Sequence, residues 1–351
     1  MTTGSDDQAG NAPLREMWYY AFPSSRLKPG GTLARLYLGE PVLFGRDRGG
    51  RPFALRDICP HRGMPLHYGR FDGGEIECAY HGWRFAAGGV CTAIPSLAAG
   101  DPFEPGRIRV KTYPVQELQG NVWIFFGDEP DAAAPVPVLP GLDERRRPDL
   151  TYSVRVAGSF DAAVFNLVDP THNPFIHTSW WWRRRGSIRD KAKAFAPSDY
   201  GFTMLPHTPS ANYAPYKLLG HEVETEIIFR LPSTRIEHLQ FGKHCLVTLN
   251  TLTPIDANTV EESYAIYWTA PLLSALKPLG RVIVRAFAAQ DGGAVAMQSE
   301  GLKYRAPMLL IGDGDTQAKW YRRLKREYAR ACAERRAFVN PVKARVLRFR
   351  S

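Results

Sequence analysis

The stretch Cys59-Pro60-His61-Arg62-Gly63, followed by Glu77-Cys78-Ala79-Tyr80-His81-Gly82-Trp83, decides how the rest of the chain is read. Each of its two arms carries one thiol and one imidazole, as Cys-x-His and then Cys-x-x-His, with sixteen residues between His61 and Cys78. Two thiolates can hold one iron of a [2Fe–2S] cluster while two imidazoles hold the other, and this mixed ligation raises the potential above that of an all-cysteine cluster. Zinc is the rival, since two Cys and two His also satisfy a tetrahedral site. Finger-type zinc sites pair Cys with Cys and His with His within one arm. Here each arm mixes the two and so reaches both irons, which favours a cluster held by Cys59, His61, Cys78 and His81.

With Pro60, Arg62 and Gly63 after the first cysteine and the Tyr80-His81-Gly82-Trp83 run in the second arm, these residues resemble the cluster loops of the Rieske non-haem iron oxygenases. Rieske electron carriers without a catalytic domain share the same loops. The arms alone therefore leave enzyme and carrier both open.

The chain has 351 residues, comfortable for two domains, and its 44% hydrophobic and 23% charged content is that of an ordinary globular protein. No apolar run approaches the ~18–20 residues that span a bilayer. The polar start, with Asp6 and Asp7, lacks a signal-peptide pattern and reads as a disordered tail over residues 1–16. Beyond Cys59 and Cys78, an odd three cysteines remain (Cys91, Cys245 and Cys332), which argues against a disulfide framework and for a reducing cytoplasm. From Thr316 onward twelve Lys or Arg face only Glu327 and Glu334, which accounts for the whole net charge of +10. No nucleic-acid recognition motif accompanies that charge. An acidic ferredoxin or reductase suits it better, and a solvated helical face with no partner is the plain alternative.

Short apolar segments with Gly, Asp and Pro turns run from Met17 to the Asn121–Gly127 stretch, which predicts a small all-β domain over 17–128. Residues 129–149, rich in Pro, Ala and charge, read as a linker. The remainder, 150–351, changes texture. Strands are expected over Thr151–Val156, around Val223–Phe229, over Lys243–Thr253 and over Thr259–Trp268, with helices over Phe160–Val168, Leu272–Gln290 and Gln317–Cys332. An antiparallel sheet followed by a long helix makes this an α+β, helix-grip type of domain. The chain is thus expected to join an N-terminal all-β cluster domain to an α+β catalytic domain with a basic C-terminal tail.

The second site is read from Asn166-Leu167-Val168-Asp169-Pro170-Thr171-His172-Asn173-Pro174-Phe175-Ile176-His177. Asn166, Asp169 and His172 are spaced by three and would share a helix face, with Pro174 breaking the helix before His177. Two imidazoles and one carboxylate with open positions suit oxygen-activating ferrous iron. The Asn/Asp-x-x-His-x4-His pattern resembles the mononuclear iron motif of the same oxygenases. The resemblance makes His172 and His177 ligands of Fe(II) and Asp291, at Ala288-Ala289-Gln290-Asp291-Gly292-Gly293, the third. A helix-ending Asp-Gly-Gly turn is the plain reading of Asp291, and Asp313 and Asp315 are rival carboxylates. The resemblance also makes Asp169, with Asn166, the candidate catalytic pair, Asp169 linking the iron to the cluster His81 of a neighbouring subunit in a homotrimer.

The function implied is the terminal oxygenase of a Rieske system, taking NAD(P)H-derived electrons through a ferredoxin or flavin reductase, since the chain shows no Gly-x-Gly-x-x-Gly loop of its own. O2 would then hydroxylate or demethylate an apolar, ring-bearing small molecule. Ring dihydroxylation and a non-catalytic electron carrier are the alternatives. The aromatic run Trp180 to Trp182, with Phe202, Tyr213 and Tyr216, is read either as a pocket wall or, with Arg183 to Arg185, as an interface.

Overall fold

A computed structural model of the chain describes residues 12–131, 133–177, 179, 188–209, 223–304, 306 and 308–351. It divides into two units, one over Glu16–Val136 and the other over Pro137–Ser351 with residues 12–15, and the boundary at Val136 falls inside the segment read as a linker. Of the expected N-terminal tail, residues 1–11 lie outside the described residues, Leu14 is buried, and the Glu16 carboxylate accepts from the N–H groups of Asp128 and Glu129.

The first unit is built from eleven strands in chain order: β1 (Met17–Pro23), β2 (Thr32–Tyr37), β3 (Glu40–Arg46), β4 (Pro52–Arg56), β5 (Arg70–Phe71), β6 (Glu75–Glu77), β7 (Arg84–Ala86), β8 (Cys91–Ala93), β9 (Thr112–Tyr113), β10 (Val115–Leu118) and β11 (Asn121–Phe126). They form antiparallel sheets in the orders β1-β11-β10, β2-β3-β4-β9 and β5-β6-β7-β8. β11, Asn-Val-Trp-Ile-Phe-Phe, is buried at every position, as an unbroken apolar run requires. The turn between β2 and β3 is Leu38-Gly39, both in the left-handed region (φ 52° and 73°), which matches the twist of a tight hairpin. A core of Leu43, Leu55, Leu66, Ile76 and Phe85 packs with Cys59, Cys78 and Cys91, so the cluster arms rest on a rigid base.

Among the described residues the second unit holds one eight-stranded antiparallel sheet. Its members are β12 (Leu150–Ala157), β13 (Asp190–Ser198), β14 (Gly201–His207), β15 (Val223–Arg230), β16 (Thr234–Phe241), β17 (His244–Asp256), β18 (Thr259–Trp268) and β19 (Arg345–Arg350), in the order β12-β18-β17-β16-β15-β14-β13-β19. Among the described residues the helices are α1 (Phe160–Val168), α2 (Asn173–Ile176), α3 (Pro271–Ala275), α4 (Lys277–Leu302) and α5 (Thr316–Ala333). The helix expected over Leu272–Gln290 is therefore two. Pro278 lacks an N–H and sits in the first turn of α4, where a new helix begins without losing a bond. α4 then runs 26 residues, packing Val284 and Ala288 against Leu150, Tyr264 and Trp268 of the sheet.

A second expectation is also corrected. One helix was to carry Asn166, Asp169 and His172, but α1 ends at Val168 and Asp169 is extended (φ −75°, ψ 119°). Pro170 disfavours helical geometry in the residue before it, so the break falls there rather than at Pro174. Pro174 instead lies in the first turn of α2. Among the described residues no helix is long and apolar enough to cross a membrane.

Candidate metal centres

The two cluster arms close in the same way. Cys59 N–H donates to Met64 O at 2.8 Å and Gly63 N–H to Cys59 O at 3.0 Å, while Cys78 N–H donates to Trp83 O at 2.8 Å and Gly82 N–H to Cys78 O at 3.0 Å. Each loop turns on a glycine in the left-handed region, Gly63 (φ 73°) and Gly82 (φ 69°), which a side chain disfavours. Both thiols are buried, and the imidazoles face each other at 4.7 Å, His61 stacked on Trp83 at 4.5 Å. Burial, with the Cys78 thiol alongside, pushes the Cys59 thiol up to about 11, so its thiolate needs a cation to pair with. Partial desolvation and the neighbouring His81 and Arg62 push His61 below its ordinary range, which leaves a neutral ligand.

A second set does converge. His172 Nε2 and His177 Nε2 lie 3.3 Å apart, and Asp291 Oδ1 lies 3.5 Å from the first and 3.4 Å from the second. The centre of such a triangle is about 2 Å from each corner, the length of a metal–nitrogen or metal–oxygen bond. Asp291 Oδ1 is buried and has no hydrogen-bond partner, a costly state that a cation would relieve. Burial pushes the Asp291 carboxyl up and His177 down. A dication reverses the first effect and welcomes the second, because it binds carboxylate and neutral imidazole. A donor set of two imidazole nitrogens and one carboxylate oxygen suits non-haem iron.

The elements supply this geometry from two places. α2 is a single turn, so His172 at its start and His177 at its end fall on the same side, with ring centroids 5.2 Å apart. Asp291 lies in the middle of α4, not at a helix-ending turn, and Phe287 one turn earlier packs on His177 at 4.5 Å. The rival carboxylates are engaged elsewhere: Asp313 accepts from Arg345 and from Arg348 N–H, and Asp315 from Ile311 N–H.

Asp169 is adjacent to the triangle but outside it. Its Oδ1 accepts from Thr171 N–H and Oγ1, both at 2.6 Å, and its Oδ2 stands 3.6 Å from His172 Nδ1, too long for a hydrogen bond. Burial opposes its charge, but His172 and Thr171 together hold the carboxyl below the usual range. Asn166 contributes its carbonyl, which accepts from Asp169 N–H at 3.2 Å. Phe202 is a core residue, 1% exposed and stacked on Phe229, rather than a pocket wall. Trp180 to Trp182, Arg183 to Arg185, Tyr213 and Tyr216 lie outside the described residues.

The sequence reading missed Gln290. Its Oε1 lies 2.9 Å from His177 Nδ1 and its Nε2 donates to Ser179 Oγ at 2.8 Å. With Nε2 committed as a donor, Oε1 accepts, so His177 carries its proton on Nδ1 and turns the Nε2 lone pair towards the triangle. Adjacency to Asp291 was the available signal.

The fold and the two donor sets define a protein with a Rieske-type cluster unit followed by a sheet-and-helix unit bearing a two-His, one-carboxylate centre. Residues 17–114 match the Rieske [2Fe-2S] domain family, and the first unit is such a domain. The 3-chlorobenzoate-3,4-dioxygenase oxygenase subunit of Comamonas testosteroni is 35% identical over 168 residues, 47% of this chain and 38% of that protein. The 4beta-methylsterol monooxygenase of Methylococcus capsulatus is 37% identical over 163 residues, 46% of this chain and 44% of that protein. The chain thus spans less than half the length of these curated relatives. Among solved structures, dicamba monooxygenase bound to dicamba superposes with a TM-score of 0.72 at 20% identity, covering 92% of this chain and all of the other. A variant of NdmA from Pseudomonas putida CBB5 with caffeine gives 0.74 at 20% identity, covering 94% of both chains. At that identity the likeness establishes the fold. The resemblance to Rieske non-haem iron oxygenases is thus borne out in sequence over about half the chain and in fold over nearly all of it.

Proposed function

We propose that this chain is the terminal oxygenase of a multicomponent Rieske system. It takes electrons, ultimately from NAD(P)H, through a separate ferredoxin or flavin reductase and uses O2 to hydroxylate or oxidatively demethylate a ring-bearing small molecule. The observation that carries this reading is the His172–His177–Asp291 triangle, closed to 3.3–3.5 Å in a chain that also bears a Rieske domain. An electron carrier has no use for it. His172, His177 and Asp291 would hold a ferrous ion, and Cys59, Cys78, His61 and His81 the cluster. When bound, the ferrous ion supplies O2 activation and the cluster supplies electrons.

The chain's own residues set the conditions. Gln290 fixes the His177 tautomer, and burial keeps that imidazole neutral and ready to donate its lone pair. Asp169, held ionised beside His172, is the route by which an electron arrives from His81 of the partner subunit in a homotrimer. A cytoplasmic setting agrees with five cysteines of which none forms a disulfide. The names of the relatives, a dioxygenase and a monooxygenase among them, support the class of reaction, and the structures named for a monooxygenase and for NdmA with caffeine support attack on a small ring compound.

The test is O2 uptake by iron-replete protein with NADH, a ferredoxin–reductase pair and a panel of methoxylated, N-methylated and unsubstituted aromatic compounds. The proposal expects uptake stimulated by some members, with hydroxylated or demethylated product, and none in His172→Ala although its cluster is still reduced. Cluster reduction with no product from any member would favour the carrier.

A further inference from the structure

The sheet face beneath α4 is not apolar throughout. Val154 on β12 packs towards Val284 and Ala288, and its cross-strand partner on β18 is Glu262, only 5% exposed. Two residues along β12, Val156 lies against α4 so closely that a Cβ on Gly292 would come within 3.2 Å of it. Glu262 is thereby brought to the level of Asp291, the residue before Gly292.

Both hydrogen bonds to Glu262 arrive at Oε1, from the Tyr264 hydroxyl at 2.7 Å and from Asn250 Nδ2 at 3.1 Å. Because a carboxylate oxygen accepts, the Asn250 amide is oriented with its Oδ1 pointing away. That oxygen is buried on a side chain 6% exposed and has no hydrogen-bond partner. An unmet buried acceptor is costly, and a chain tolerates one where a ligand meets it.

The surrounding charges define the complement. Burial and the nearby Asp291 push Glu262 up to about 7, so an anionic group entering here would meet two carboxyls. Arg235 is the cross-strand neighbour of Asn250 on β16, paired with Glu237 at 3.1 Å, and would oppose a cation. A neutral donor meets neither objection.

We infer that Asn250, oriented by Glu262, is the specificity-determining contact for a neutral hydrogen-bond donor on the substrate, either a ring or amide N–H or a hydroxyl. This deepens the oxygenase reading and rests on it.

The experiment measures binding by calorimetry to iron-loaded wild type, Asn250→Leu and Glu262→Met. The probes are matched pairs differing by one donor: theobromine and caffeine, phenol and anisole, N-methylbenzamide and N,N-dimethylbenzamide. In at least one pair the donor member should bind wild type about ten-fold tighter, and the preference should fall below about two-fold in both variants. Glu262→Met keeps the length of the side chain and removes the acceptor that orients Asn250, so the test stands even if Asn250→Leu fails to fold. No donor preference in any pair, or a preference that survives in Glu262→Met, would overturn the inference. Iron content in the same samples separates the two claims, because a wild type without mononuclear iron removes the oxygenase reading whatever the binding shows.

Discussion

Gln290 Oε1 accepts from His177 Nδ1 at 2.9 Å, while Asp291, its neighbour in sequence, presents Oδ1 to the other nitrogen of the same imidazole at 3.4 Å. Two consecutive residues of one helix thus grip both edges of a single histidine. Helical geometry allows this because successive side chains diverge by about a quarter turn, enough to span one ring. Replacing Gln290 by Leu should leave the fold intact and loosen His177. We expect iron affinity at the second centre to fall about 10–100-fold while the cluster is retained, measured by competition with a chelator. Unchanged affinity would show that packing by Phe287 alone positions the ring.

The Glu262 carboxyl gives a pH dependence of known sign. The unfolded chain loses this proton near pH 4.5, whereas the folded chain keeps it to about 7. Between those values the charged form is favoured only in the unfolded chain, so Glu262 lowers stability as pH rises and its cost is complete above about 7. Glu262→Gln should therefore match wild type near pH 5 and exceed it near pH 8, by up to about 3 kcal/mol in the metal-free protein. A stability difference that stays flat across this range, followed by thermal unfolding, would contradict the assignment.

Lys325 and Asp161 tie α5 to α1. Lys325 Nζ lies 2.7 and 2.8 Å from the two Asp161 oxygens, and the Tyr321 hydroxyl donates to Asp161 at 2.5 Å. Both charges are largely buried, so removing one leaves the other unpaired. Lys325→Ala should cost about 3–5 kcal/mol in denaturant unfolding. Because Asp161 opens the helix that leads into Asp169, the variant should also bind iron more weakly at the second centre. A loss below about 1 kcal/mol would place the pair with weak surface bridges.

Gly82 closes the second cluster arm with φ at 69°, and a Cβ there would lie 3.3 Å from Pro95 Cγ. Gly82→Ala should strain the arm by about 1–2 kcal/mol and lower cluster occupancy, seen as a reduced visible and electron-paramagnetic signal per chain. Full occupancy would mean that the arm relaxes without cost.

Much of this was legible in the sequence because the decisive residues are close in the chain. The mixed Cys/His arms, the His172/His177 pair and α1 are local patterns, and the α1 and β18 boundaries fall where the sequence pattern put them. Asp291 needed the resemblance, since its Asp-Gly-Gly context reads as a turn until packing on β12 continues the helix through it. β13 was not legible. Its Asp-Lys-Ala-Lys-Ala start has little strand preference, and it is held by pairing with β19, more than 150 residues further along. β16 also escaped, because Arg235 and Glu237 point polar groups at a face that a period-two reading expects to be apolar. The basic C-terminal segment looked like a free patch, yet Arg330, Arg336 and Arg345 are paired with Glu334, Glu327 and Asp313. Glu327 and Glu334 were already counted within the segment, whereas Asp313 lies before it, 32 residues from Arg345, and such a pairing cannot be read from local charge.

The most direct test of the whole account is metal stoichiometry in anaerobically purified protein. Wild type should hold about three irons and two acid-labile sulfides per chain, and His172→Ala about two irons with both sulfides kept. Two irons in both proteins would contradict a mononuclear centre at His172, His177 and Asp291 and leave only the Rieske cluster.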